Sequence, residues 1–197
     1  GRISDMTGHN LEEAKEEVQL SIERLFTYAA WADKYDGAAH GAPIRGVALA
    51  MNEPVGTIGM VCPDDYPLLG LISLIAPALA MGNTCVVVPS EPYPLAATDL
   101  YQVFETSDLP AGVVNLVTAK HEEVIESLSG HMDLDAVWYF GSSGLSSTVE
   151  KLSATNLKRT WVNHGKHRNW TDIKQGEGQE FLRQSTEVKN IWIPYGE

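Results

Sequence analysis

A chain of 197 residues, 44% of them hydrophobic, holds enough apolar material for one well-packed domain and too little for two. Its formal charge of −12, from 26 acidic and 14 basic residues spread along the chain, argues against a surface built for nucleic acid or an anionic membrane, because phosphate groups are bound by clustered Lys and Arg. Cys62 and Cys85 lie in apolar surroundings outside any C-x-x-C spacing, which implies neither a disulfide framework nor a zinc site and fits a reducing, cytoplasmic compartment.

The chain starts at Gly1 without a basic and apolar leader, so no signal peptide is expected, and a start other than Met suggests an excised or processed piece. From Asn10 to Asp36 the apolar residues Leu11, Ala14, Val18, Ile22, Leu25, Phe26 and Ala29 recur at helical spacing. Asn10 followed by Glu13 resembles a capping box. Gly37 to Gly46 reads as a loop or short hairpin remnant. Strands are then predicted at Thr57 to Cys62, Thr84 to Val88, Val113 to Val117, Ala136 to Phe140 and Lys158 to Val162. The helices between them are expected at Leu68 to Ala80, Leu95 to Ser107, Glu122 to Ser129 and Ser146 to Ala154. The longest apolar stretch, Leu68 to Met81, contains Pro77 and is too short to span a bilayer. Strands alternating with helices of this size require a mostly parallel, doubly wound α/β sheet. Lys166 to Gly178 is polar and reads as an exposed linker. Glu187 to Pro194 is a lone strand that must pair within the chain or with another subunit.

Several segments together resemble the aldehyde dehydrogenase superfamily: YAAWADKYDG (Tyr28 to Gly37), EPVGTIGMVCPDDYPL (Glu53 to Leu68), IAPALAMGNTCVVVPSE (Ile75 to Glu91), SDLPAGVVNLV (Ser107 to Val117), YFGSSGLSS (Tyr139 to Ser147) and TWVNHGK (Thr160 to Lys166). STEVKNIWI (Ser185 to Ile193) is similar to that family's C-terminal oligomerisation strand. The resemblance implies four regions: residues 1–46 as an N-terminal helix and loop, 47–165 as a Rossmann-type cofactor-domain core, 166–184 as a linker standing where the family has its catalytic domain, and 185–197 as the C-terminal strand.

It also implies what this chain does without. Asp65 stands where the family has the Asn that donates to the developing oxyanion, Val88 where it has a ribose-binding Lys, Ser146 where it has the last glycine of the phosphate motif, and Val162 where it has the general-base Glu. Cys62 and Cys85 fall outside the nucleophile motif and read as core residues. No catalytic residue is therefore expected. Ser90, Glu91, Gly141 and Ser142 remain as vestigial cofactor-side positions, implying no resident cofactor and at most weak NAD binding. The pattern is similar to the degenerate second copy of aldehyde dehydrogenase family 16, and implies a non-catalytic assembly module whose partner is an aldehyde dehydrogenase catalytic domain or a second copy. The alternatives are a residual NAD sensor or half of an enzyme completed by another chain.

Three further features have plain readings. His164 and His167 lack a nearby third ligand, so no metal site is expected. Asp64 and Asp65 read as turn acids. Trp161 and Trp192 read as core, whereas Trp170, among polar neighbours, reads as an interface residue.

Overall fold

The computed structural model describes residues 1–195. A short helix, α1 (Arg2–Thr7), ends at Gly8 in the left-handed region and leads into α2 (Leu11–Trp31). The expected capping box is present: Asn10 Oδ1 accepts from the Glu12 and Glu13 N–H groups, and the Glu13 carboxylate accepts from Asn10 N–H. The helix stops at Trp31 rather than Asp36, because the Trp31 carbonyl takes the Lys34 and Tyr35 N–H groups in a closing turn.

The five predicted parallel strands form with small shifts at their ends: β3 (Thr57–Val61), β4 (Thr84–Val88), β5 (Val114–Leu116), β6 (Ala136–Tyr139) and β7 (Arg159–Val162). Four helices connect them, α3 (Leu69–Ala80), α4 (Leu95–Thr106), α5 (His121–Gly130) and α6 (Ser143–Ser153). The order in space is β5-β4-β3-β6-β7, and all neighbours are parallel. The chain therefore leaves β3 toward one edge and later returns to its other side. That reversal is the topological switch point of a doubly wound sheet. Helix α6 begins at Ser143, three residues before the predicted start, because Ser142 adopts the extended backbone of an N-cap.

The sheet is buried between helices. Helix α3 is apolar all round and has no cap of its own. Its first N–H groups are met by the Glu17 carboxylate from α2, which accepts from Leu68 N–H at 2.8 Å and Leu69 N–H at 3.1 Å. Burial raises the Glu17 pKa above the ordinary carboxylate range, and those two backbone bonds pull the other way.

The chain also forms a second, three-stranded sheet. Strands β1 (Ala38–Gly41) and β2 (Gly46–Pro54) make an antiparallel hairpin, so of the two readings of Gly37 to Gly46 it is the hairpin that holds, with β2 running on to Pro54. The tail strand β8 (Thr186–Pro194) pairs antiparallel along the whole of β2, from Gly46 opposite Pro194 to Pro54 opposite Thr186. The lone strand thus finds its partner within the chain.

The segment expected to be an exposed linker is folded. It contains α7 (Ile173–Gly176), capped by Asp172 Oδ1, and α8 (Gln179–Gln184). Trp170 is 1% exposed, and Phe181 and Leu182 are fully buried. The interface reading of Trp170 is therefore wrong: its ring lies against Phe140, with centroids 5.3 Å apart. Trp192 errs in the other direction, 61% exposed where core packing was expected. Arg24, buried in α2, fastens the segment to the body: its guanidinium donates to Ser73 Oγ and, at 3.0 Å, to the Trp170 carbonyl, and it pairs with Glu177 at 3.4 Å. Gly176 packs so closely on the Trp170 carbonyl and Arg24 that a Cβ would collide with both. Among the described residues no helix is long and apolar enough to cross a membrane.

If this segment is part of the core, Trp170→Ala removes a buried aromatic and lowers stability by about 3–5 kcal/mol in chemical denaturation. A loss within experimental error would restore the exposed-linker reading.

Candidate functional site

Ligands of doubly wound sheets bind outside the carboxyl ends of the strands at the switch point. In this chain that place is a crevice of about 300 Å³ beyond β3, β6 and β7, lined by Pro63, Asp64, Asp65, Gly141 and Ser142. Lys166, His167, Arg168 and Trp170 also line it, so the folded segment after β7 closes one side of it. Gly141 and Ser142 sit at the N-terminus of α6, where first-turn N–H groups lack intrahelical acceptors and the helix dipole favours an anion. The Ser142 side chain makes no capping bond and lies 3.3 Å from the Tyr139 hydroxyl. At Gly141 a Cβ would strike that same tyrosine, so a larger residue there must displace its ring.

The other two predicted cofactor-side residues lie apart from this crevice. Ser90 is fully buried and donates to Asp64 Oδ1 at 2.8 Å. Glu91 accepts from His121 N–H at 2.8 Å, so its carboxylate caps α5, and its own N–H donates to Asp64. Asp64 links the two groups, lining the crevice with one edge while holding the loop after β4. The Ser146 side chain does not reach the crevice: it is buried and donates to the Ser142 carbonyl at 3.1 Å.

Charge in the crevice is mixed and largely committed. Asp65 pairs with His167 at 3.3 Å. Arg168 donates to the Gln175 carbonyl at 2.7 Å and to Glu180 at 3.2 Å, while its guanidinium lies 5.2 to 5.9 Å from the ring centroids of Trp161, Phe140, Phe181 and Trp170. His164 faces Glu150 at 3.6 Å, so the two histidines point to different carboxylates. Val88 is fully buried, and Val162, at the end of β7, packs against the buried group that includes Val61, Val137 and Val149. Both cysteines are buried. Burial pushes the Cys62 thiol well above its ordinary range, with Cys85 and Asp64 adding to the shift, and pushes Cys85 up to about 12. A thiol held protonated is a poor nucleophile.

Lys166, His167 and Arg168 were not singled out as crevice residues from sequence. The available signal was three consecutive basic residues directly after the TWVNHG motif.

A doubly wound parallel sheet whose switch-point crevice opens on a helix N-terminus is a Rossmann-type α/β fold. Comparison with known proteins names the family. The aldehyde dehydrogenase family profile matches residues 2–170, and the chain belongs to that family. It is 35% identical over 150 residues to an aldehyde dehydrogenase of Agaricus bisporus, covering 76% of this chain and 30% of that protein. An aldehyde dehydrogenase-like protein of Schizosaccharomyces pombe is 32% identical over 192 residues, covering 96% of this chain and 36% of its own length. Among solved structures, betaine aldehyde dehydrogenase from Staphylococcus aureus in complex with NAD+ superimposes with a TM-score of 0.73 at 32% identity, over 79% of this chain and 31% of that one. The chain spans about a third of the length of the relatives it matches.

The burial of both thiols makes a direct test. Native protein treated with iodoacetamide is expected to stay unmodified at Cys62 and Cys85 by mass spectrometry, and both are expected to react after denaturation. Rapid native alkylation of Cys62 would show an accessible thiolate that this packing forbids.

Proposed function

We propose that this chain is a non-catalytic module of the aldehyde dehydrogenase family with a structural and assembly role, acting as the degenerate second unit of a larger NAD-dependent aldehyde dehydrogenase in the cytoplasm. The observation that carries this reading is the wall of the switch-point crevice, which is made by the chain's own segment around Trp170.

Aldehyde oxidation in this family needs a nucleophile, a base and a donor to the oxyanion. Asp65, beside His167, presents a carboxylate where charge would develop, and an ionised carboxylate repels an oxyanion. Val162 offers no atom to take a proton. Cys62 is sealed in the core. Toward the cofactor, Gly141 and Ser142 still present a helix N-terminus, whereas Ser90 and Glu91 spend their bonds on Asp64 and on α5. That division supports weak NAD binding at most, and the open N-terminus of α6 beside Lys166 is what favours the second reading, a residual NAD sensor.

The assembly role rests on β8. It forms one edge of its sheet and leaves Val188, Trp192 and Ile193 exposed, a ready surface for an aldehyde dehydrogenase catalytic domain or a second copy. The charge of −12 and the scattered basic residues disfavour nucleic acid and anionic membranes as partners.

Purified chain with NAD and a panel of aldehydes is expected to produce no NADH above buffer, and turnover abolished by Cys62→Ser would overturn the non-catalytic reading. For assembly, Trp192→Glu should lower the mass seen by light scattering or weaken capture of an aldehyde dehydrogenase catalytic domain. If mass and capture both stay unchanged, β8 is not the docking edge.

A further inference from the structure

On the face formed by α1, α2 and α4 lies a groove of about 1000 Å³ that neither the crevice nor the tail sheet uses. Its floor is the small apolar cluster of Ile3, Ala14 and Ala96 with Leu68 beside it, and Leu11, Val18, Leu100 and Val103 stand along its walls. Helix α2 already buries one face through Ala14, Glu17, Ser21, Arg24 and Tyr28. It carries a second apolar stripe on a different side: Leu11, Val18, Ile22 and Leu25 recur at steps of seven, four and three, with Phe26 adjoining. Exposure along this stripe runs from 40% at Val18 to 74% at Phe26. One buried stripe suffices to hold a surface helix, so a second, continuous with a groove, marks an interaction surface. From Leu11 to Leu25 it is about 21 Å long at the rise of an α-helix, a match for a partner helix of about four turns.

Charge narrows the occupant. Glu12, Glu16 and Glu23, spaced by four and seven residues, run along one flank of the stripe. The cations at the groove are already engaged, Lys15 with Glu12 at 2.8 Å and Arg2 with Asp99 at 2.8 Å. Glu16 has no ion-pair partner among the described residues. A second copy of this chain would bring its own carboxylates against these, and both copies carry −12. An extended strand has little to gain, because the walls are helices whose backbone is already paired. We propose that this groove docks an amphipathic α-helix whose apolar residues recur at three and four and whose flanks carry Lys or Arg.

The probe is a fluorescein-labelled peptide about five turns long with Leu at helical spacing and Lys on both flanks, compared with a twin in which each Lys is Glu. In fluorescence anisotropy the Lys peptide binds the wild-type protein saturably with one-to-one stoichiometry, and the Glu twin binds at least about tenfold more weakly. Val18→Asp and Ile22→Asp, both at exposed positions, weaken the Lys peptide by about tenfold or more, while Leu157→Asp, on a distant exposed turn, leaves it unchanged. Glu16→Lys with Glu23→Lys shifts preference toward the Glu twin. Equal affinity for the two peptides, or indifference to Val18→Asp, overturns the proposal. So does a peptide-free dimer that Val18→Asp dissociates, because that result assigns the groove to a second copy.

Discussion

Arg168 lies over four aromatic rings at once, and the position of everything after β7 depends on that arrangement. Trp161 from β7 meets Trp138, Phe140 and Phe181 edge to face with centroids 4.9 to 5.1 Å apart, and Phe140 carries Trp170 on its other side. Each such pair contributes about 0.5–1.5 kcal/mol beyond its buried area, and the stacked guanidinium adds to it. The cluster turns the chain back onto the parallel sheet. From there α8 delivers Ser185, whose carbonyl accepts from Asn83 and from Val55 N–H, to the start of β8. Arg159 then holds the Thr186 carbonyl at 2.6 Å. The tail sheet is registered on β2 because the rings have placed its starting point.

The same cluster shapes the crevice. A switch-point crevice is where a doubly wound sheet binds its ligand, and here Lys166, His167, Arg168 and Trp170 line one side of it. The relatives are about two and a half times as long as this chain. The segment after β7, the bridge to β8, is held by aromatic packing, by an ion pair from Glu177 to the buried Arg24 and by one from Arg168 to Glu180. With Val162 at the end of β7 and Cys62 inside the core, the chain keeps the family's framework and points its exposed apolar surface elsewhere, to β8 and to the stripe on α2.

The parallel sheet was legible in the sequence because its strands are short, mostly apolar runs, several rich in β-branched or aromatic residues and some bounded by Gly or Pro, and each helix between them is long enough to show its period. Strand β2 was not, because Val47, Leu49 and Met51 alternate with Gly and Ala that carry little strand preference, and its pairing with β8 spans most of the chain. The bridge was hidden for a different reason. Asp172, Gln175 and Arg168 form local caps and bonds to irregular backbone, which leave no periodic trace, and the burial of Trp170 is decided by Phe140 and Arg24, far away in sequence. The site was half legible for the same reason. Gly141 and Ser142 could be placed from their motif at a helix start, but the presence of Lys166, His167 and Arg168 in the crevice depends on the fold of the bridge. Trp192 misled because its sheet leaves it open to solvent, where ring size alone suggests a core.

The central proposal is that the chain's own segment after β7, walling one side of the switch-point crevice, leaves a framework without a working cofactor site. Calorimetric titration of the purified chain with NAD tests it most directly. The account predicts no saturable heat below about 1 mM ligand. Saturable one-to-one binding in the micromolar range, weakened when Gly141 or Ser142 is substituted, would contradict it.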